Sequence, residues 1–495
     1  MSNLRTLINK YKELPIVVKA TLWLTFAMLM QKALMSLSVP IITRFLTLEE
    51  YANYSIYQTW FNVFIVLCTF NLSSSIFNTI LMKNPNNHDK AATTIMFFEF
   101  TITTLVFLVY LLISVVTGPL QGISFFQSMI LFLQILVNIP ISIWIAKRKY
   151  EYKYLLTSIV ILVQSVITIT LNVLAIIFLN DQTNGLILST ITTYGLFSFS
   201  IMMYLLYKNK TLFDLNIWKY ALVVGFPLIF HYLAQSVLAQ SNKLFIDFYI
   251  GKIETAIYSL STSIAFILQT LIMALHSSYM PWFYKRIASN NNKHVNFSGI
   301  ILVGLISIFT INISLFGPEI IYVFGGNEYM DGKFLIPPLS SSIIVMLVYN
   351  FYSSIEFYYG RTRLVSAATI IAAICHIALS FLLIPKLGYL SSAYITIVSY
   401  LIMCLFHYVF SKRVLKQNNN YLKLYNDPLI FTIMFIGILI NLLVILTYQS
   451  DIIRYAVIGA EILAFFLIVI IKGKDLKKII HRLLSAGDKN NENNI

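Results

Sequence analysis

Apolar stretches of about 20 residues, each long enough to cross a bilayer as a helix, recur along the whole chain between short polar segments. They predict transmembrane helices near 19–42, 54–81, 92–116, 122–146, 154–179, 185–207, 219–241, 255–282, 296–317, 334–356, 364–384, 389–411, 428–448 and 453–472. The expected class is an all-α polytopic membrane protein with 14 transmembrane helices. Before the first stretch, Leu4, Leu7, Ile8, Tyr11 and Leu14 recur at helical spacing among Arg5, Lys10 and Lys12. That pattern predicts an interfacial amphipathic segment over 1–18. A second is expected at Leu476–Leu484, before the polar tail Ser485–Ile495. The first apolar run is too long for the core of a cleaved signal peptide, and no small-residue cleavage site follows it.

The pattern also repeats. Gln31–Ser55 aligns with Gln235–Ser259 without a gap, 204 positions apart. Identities fall at Gln31/Gln235, Leu34/Leu238, Ile42/Ile246, Glu50/Glu254, Ala52/Ala256, Tyr54/Tyr258 and Ser55/Ser259. Each copy covers the end of one apolar run, a polar turn and the start of the next. Membrane chains built as two related halves usually carry a cargo at the interface of those halves.

Charge orients the halves. With the N-terminus inside, 28 of the 35 Lys and Arg fall on cytoplasmic segments and 6 on outer ones, leaving Lys32 within a span. Net charge is then +20 inside, −3 outside and −2 in the membrane, within the total of +15. The basic clusters alternate with the loops as the positive-inside rule requires, so both termini are expected in the cytoplasm. The turns Thr43–Asn53 and Asp247–Ile257 then share the outer face, which makes the repeat parallel, with its axis along the membrane normal. The same sorting accounts for the basic pI without nucleic acid.

A chain that is 58% hydrophobic and 11% charged leaves little room for a soluble catalytic domain, and its longest outer loop is about Pro318–Lys333. No nucleotide-binding loop, zinc-protease signature, nucleophile elbow or clustered His/Cys set is present. Cys68, Cys375 and Cys404 fall inside spans as expected packing residues. The chain is therefore expected to be a transporter, not an enzyme, with no cofactor and no metal.

Ionisable groups in the membrane are expensive and face cavities or partners. Lys32 shares one helical face with Thr21, Thr25, Ser36 and Pro40, which predicts a polar lumen, and Gln31, the repeat equivalent of Gln235, is expected to face the same space. Pairing of Lys32 with Glu99 or another buried acid is the packing alternative. In the second half His231, Gln235 and Asn242 form a similar stripe, with Lys243 at its outer end. Glu99, Glu356 and His376 are candidates for ion coupling, although Glu356 is also placed to pair with Arg361 or Arg363. Pro40, Pro140, Pro227, Pro281 and Pro337-Pro338 sit in or at the ends of spans and allow local bending.

At this level the chain resembles a known group. The stretches VPIITRFLTLEEYANYSIYQTW and GFPLIFHYLAQSVLAQSNKLFIDFYIGKIETAIYSLS are similar to segments of polysaccharide-unit flippases. So are GRTRLVSAATIIAAICHIALSFLLIPKLGYLSSAYITIVSY and the outer loop FGGNEYMDG. The resemblance is to the Wzx-type branch of the multidrug/oligosaccharidyl-lipid/polysaccharide (MOP) exporter superfamily, and it extends over essentially the whole chain. It implies two six-helix bundles plus two C-terminal helices, and transport of undecaprenyl-pyrophosphate-linked oligosaccharide units across a bacterial inner membrane by alternating access. Membrane lipids, a polysaccharide polymerase and a chain-length regulator are the partners expected for such a cargo. A polar cleft between the bundles would take its headgroup, with Lys32 as the candidate partner of the pyrophosphate and an ion gradient as driving force, since the sequence carries no nucleotide-binding loop. Where many relatives carry an Asp-Arg pair near the end of the seventh helix, this chain has Asn242-Lys243. A lipid II or teichoic-acid flippase and a multidrug exporter of the same superfamily are the alternatives.

The expected organisation is an interfacial segment at 1–18, an N-terminal bundle at 19–207, a cytoplasmic linker at 208–218 and a C-terminal bundle at 219–411. A cytoplasmic loop at 412–427, two further helices at 428–472 and a tail at 473–495 complete it.

Overall fold

A computed structural model describes residues 13, 15–289, 294–418 and 424–463, and contains helices and no strand among them. The first half begins with α1 (Ile16–Phe45), α2 (Leu48–Thr69) and the short α3 (Phe77–Lys83). It continues through α4 (His88–Thr117), α5 (Phe125–Tyr150), α6 (Tyr154–Phe178) and α7 (Gln182–Lys208). The second half opens with α8 (Leu215–Tyr249), α9 (Lys252–Ala265), α10 (Ile267–Ala288), α11 (Val295–Leu315) and α12 (Gly317–Gly325). A 3₁₀ stretch at Asn327–Leu335 leads into α13 (Ile336–Tyr358), followed by α14 (Thr362–Leu387), α15 (Ser391–Gln417) and α16 (Asp427–Thr447). Residues 451–463 are again helical. Among the described residues, twelve helices are long and apolar enough to cross a membrane, against the fourteen expected. Most of the segment expected at 1–18, the remainder of the last predicted span and the helix expected at Leu476–Leu484 lie outside the described residues.

Polar residues at the run ends fix where these helices start. Thr47 and Glu50 form a reciprocal capping box at the head of α2, and Ser124 and Gln127 form another at the head of α5, each satisfying amides that have no partner within the helix. Asp214 accepts from the backbone amides of Asn216 and Ile217 to start α8.

Two predicted spans depart from a continuous helix. The run at 54–81 breaks after Thr69, with Phe70 and Asn71 in the left-handed region (φ 52° and 51°). Asn71 and Ser73-Ser74-Ser75 follow one another here, and such short polar side chains offer the backbone alternatives to the helix ladder. The run at 255–282 is bent at Phe266 (φ −85°, ψ 4°), between α9 and α10, with the Phe266 amide still donating to the Thr262 carbonyl at 3.0 Å. Both helices follow the two repeat turns, but by the 204-residue offset Phe266 corresponds to position 62, so the two interruptions are about eight positions out of register.

The halves meet closely near those turns. Ser55 on α2 donates to Ser259 on α9 at 2.7 Å, and Tyr51 packs edge-on against Tyr329 with ring centroids 6.0 Å apart. Thr43 donates to the carbonyl of Phe324, Arg44 to that of Val323 at 3.3 Å, and Gln121 to that of Leu244 at 3.0 Å.

Candidate functional site: a polar cleft between two broken helices

Beyond the Ser55–Ser259 contact, on the side of α2 leading to its break, a cleft of about 670 Å³ separates the halves. Its wall takes Asn62, Ile65, Val66 and Asn71 from the first broken helix and Gln269, Ile272, Met273 and His276 from the second. Helices α8, α13 and α15 close the remaining sides with Gln235, Gln240, Asn350, Tyr349 and Tyr400 among others. Non-helical backbone at membrane depth is tolerated where it lines a cavity, and Asn71, within the first break, meets that condition.

Among the described residues the lining is uncharged and mixed, its carboxamides and tyrosines set among Ile65, Val66, Leu238, Ile272, Met273, Met346 and Met403. Asn62, Asn71, Gln235, Gln240 and Gln269 have no side-chain hydrogen bond to any described residue, whereas Asn350 donates to the Met346 carbonyl at 2.8 Å. Their carboxamides are free donors and acceptors. Tyr349 and Tyr400, both lining the cleft, lie parallel with ring centroids 6.2 Å apart and planes 1° apart. No Asp, Glu, Lys or Arg lines the cleft among the described residues.

The residues singled out in the sequence divide among several places. Gln235 lines the cleft. Lys32 stands beside it, its ammonium 3.4 Å from Thr270 Oγ1 and 3.9 Å from the sulfur of Met273, a lining residue. No carboxylate lies within salt-bridge distance of Lys32 among the described residues, so pairing with Glu99 is not the arrangement found. Gln31, Thr25 and Ser36 are half-buried on α1, outside the lining. His231 is buried behind the wall, next to the lining residue Tyr232, with Nδ1 unpartnered.

Asn242 is spent within the second half. Its amide nitrogen lies 3.0 Å from each of Tyr258 Oη, the Ser392 carbonyl and Thr396 Oγ1, which share its two hydrogens, and its oxygen accepts from Ser380 at 3.0 Å. The neighbouring Lys243 has no ion-pair partner among the described residues. His376 is wholly buried between α14 and α15, Nδ1 2.8 Å from Ser399 Oγ. Glu99 is buried in the core of the first half with neither carboxylate oxygen hydrogen-bonded. Glu356 pairs with His407, not with Arg361 or Arg363.

Comparison with known proteins agrees with this architecture. The family model described as polysaccharide biosynthesis protein matches residues 17–286, more than half of the chain. The chain belongs to the polysaccharide biosynthesis protein family. The MatE model also matches, over residues 227–382. A Haemophilus influenzae protein of the Lsg locus is 22% identical over 358 residues, covering 69% of this chain and 85% of that protein. An uncharacterized membrane protein of Haemophilus influenzae is 21% identical over 370 residues, covering 72% and 88%. Among solved structures, an inward-facing multidrug resistance MATE family transporter of the MOP superfamily superposes with TM-score 0.60 at 12% identity, covering 79% of this chain and 96% of that one. An outward-facing structure of such a transporter gives 0.56 at 14% identity, covering 81% and 96%. The family member thus has the fold of MOP-superfamily transporters, and the sequence resemblance to their polysaccharide branch is confirmed at the level of family.

Proposed function

We propose that this protein flips undecaprenyl-pyrophosphate-linked oligosaccharide units across the bacterial inner membrane by alternating access, driven by an ion gradient. In this reading fourteen spans form two six-helix bundles in a parallel repeat plus two C-terminal helices, with both termini in the cytoplasm. The observation that carries it is the lining of the cleft: free carboxamides beside two parallel tyrosines, with no charged group among the described residues. Carboxamides match sugar hydroxyls and N-acetyl groups in both donor and acceptor roles, and aromatic faces pack against sugar rings. A cavity of about 670 Å³ falls within the usual 300–1,000 Å³ range of small-molecule sites.

Lys32 extends the fit. A pyrophosphate at the edge of the cleft, between α1 and α10, would meet an ammonium without a competing carboxylate. The polyprenyl tail would remain in lipid, where burial of each CH₂ contributes about 0.8 kcal/mol. The absence of charge inside the cleft favours headgroups whose sugars are neutral, because an unpaired uronate carboxylate would be desolvated there. Expression in a strain lacking its own repeat-unit flippase tests the reading. Restored surface polysaccharide supports it; protein present in the membrane with no polysaccharide, or with efflux of cationic dyes instead, refutes it.

A further inference from the structure

Two wholly buried ionisable side chains lie behind the cleft wall. His407 Nδ1, on α15, is 2.9 Å from Glu356 Oε1, on α13, and neither side chain has exposed surface. The other carboxylate oxygen and the other ring nitrogen have no partner among the described residues. Burying two such groups costs several kcal/mol per charge, and well-packed apolar side chains often serve stability as well or better. Ionisable pairs retained inside a membrane typically mark proton or ion pathways.

The pair is also joined to the site. The His407 ring stacks on Tyr349 with centroids 5.6 Å apart and planes 20° apart. Tyr349 in turn stacks on Tyr400, and both tyrosines line the cleft. The imidazole is thus in contact with the cleft lining through Tyr349.

We propose that Glu356 and His407 together bind one transported proton, and that the Tyr349–Tyr400 wall links its presence to the shape of the cleft. The proposal rests on the transport reading above and specifies its coupling ion. Uptake adds one proton to a carboxylate and a neutral imidazole, which then share it along the 2.9 Å contact; release returns the pair to its starting state.

The chemistry selects a proton over a metal cation. A hard cation such as Na⁺ needs a shell of oxygen ligands, whereas the described partner of the Glu356 carboxylate is a nitrogen. The ionisable groups on the surrounding elements are His231 on α8, His276 on α10, Arg363 and His376 on α14, Cys404 on α15 and Asp427 on α16. His276 is held by Ser354 Oγ at 3.2 Å and Asp427 by Lys412 at 2.6 Å. No other ion pair reaches Glu356 or His407 among the described residues.

Full-length protein in lipid nanodiscs, followed by tryptophan fluorescence across a pH series in KCl and then in NaCl, tests the pair without any glycan. The expected result is a pH-dependent change in the wild type that is indifferent to the cation and is lost in both Glu356→Gln and His407→Gln. Size-exclusion elution as for the wild type shows that these near-isosteric variants fold. A wild type with no pH response, a response shifted by NaCl, or a response retained in both folded variants overturns the proposal. Rescue of surface polysaccharide by the wild type distinguishes the outcomes. Rescue without a pH response leaves the transport reading standing and removes the proton site, while a pH response lost in the variants without rescue does the reverse.

Discussion

Ser55 and Ser259, 204 positions apart in the chain and equivalent in its internal repeat, share a buried 2.7 Å hydrogen bond. A residue that touches its own repeat equivalent lies beside the axis relating the two copies, so the contact places that axis between α2 and α9. It also closes the halves together at one end of the cleft, where alternating access would require them to part. With the native cysteines replaced, a Ser55→Cys/Ser259→Cys pair is expected to form a disulfide on mild oxidation, because side chains in hydrogen-bond contact are within reach of that geometry. The crosslinked protein should stop transporting and recover on reduction. Crosslinking with transport intact would show that this contact never opens.

The break after α2 separates a backbone role from a chemical one. Asn71 holds a left-handed conformation (φ 51°) that costs a residue such as alanine roughly 1–2 kcal/mol and glycine almost nothing. Asn71→Gly should therefore keep thermal stability in nanodiscs while reducing transport, through loss of the carboxamide in the cleft. Asn71→Ala should lower both. Equal transport in wild type and Asn71→Gly would remove Asn71 from the site.

Asn242 predicts the opposite behaviour. Its hydrogen bonds tie α8 to α9, α14 and α15, and truncation leaves several buried groups unpaired. Asn242→Ala should destabilise the protein by on the order of 2 kcal/mol, read as a lowered unfolding midpoint. Any transport defect should follow the fall in folded protein. A stable variant with lost transport would instead place Asn242 against the cargo.

These contrasts show what the sequence made legible. The all-helical membrane architecture was visible because it rests on local pattern, the length of the apolar runs and the turn chemistry. Fourteen spans were expected, and twelve helices long and apolar enough to cross a membrane are present among the described residues. The cleft was only partly visible. Gln235 was found through its equivalence to Gln31, but Asn62, Asn71, Gln240, Gln269, Tyr349 and Tyr400 were not. Nothing local distinguishes a mid-span carboxamide facing a cleft from one hydrogen-bonded between helices, as Asn242 and Asn62 demonstrate. The break at Phe70–Asn71 had a local signal in Asn71 and Ser73-Ser74-Ser75, but the apolar stretches on either side together are long enough to be taken for one span. His407 was missed because its partner Glu356 lies 51 positions away on another helix.

Acid stability should depend on the membrane-exterior network at the heads of α4 and α8 and the end of α5. Lys90, 2.6 Å from Asp214, together with the Ile217 and Asn216 amides, holds that carboxyl below its ordinary value of 3.8 despite some burial. Burial raises Glu151, but Lys153, Lys147 and His88 outweigh it and leave the group below 4.5. Depressed folded-state values mean that these contributions are fully present above the ordinary values and are lost as pH falls through the folded ones. The unfolding midpoint should hold steady from neutral pH to about pH 5 and decline below about pH 4. Asp214→Asn with Glu151→Gln should flatten that decline. An unchanged acid profile in the double variant would assign it to other groups.

Proteoliposomes containing an undecaprenyl-pyrophosphate-linked neutral oligosaccharide, with lectin detection of glycan newly exposed on the opposite leaflet, test the central claim most directly. The account predicts exposure with the wild type and strong loss of it with Lys32→Ala and with Gln235→Leu/Gln269→Leu, each variant folding as the wild type does. Unchanged exposure in both variants, or none with the wild type, would contradict it.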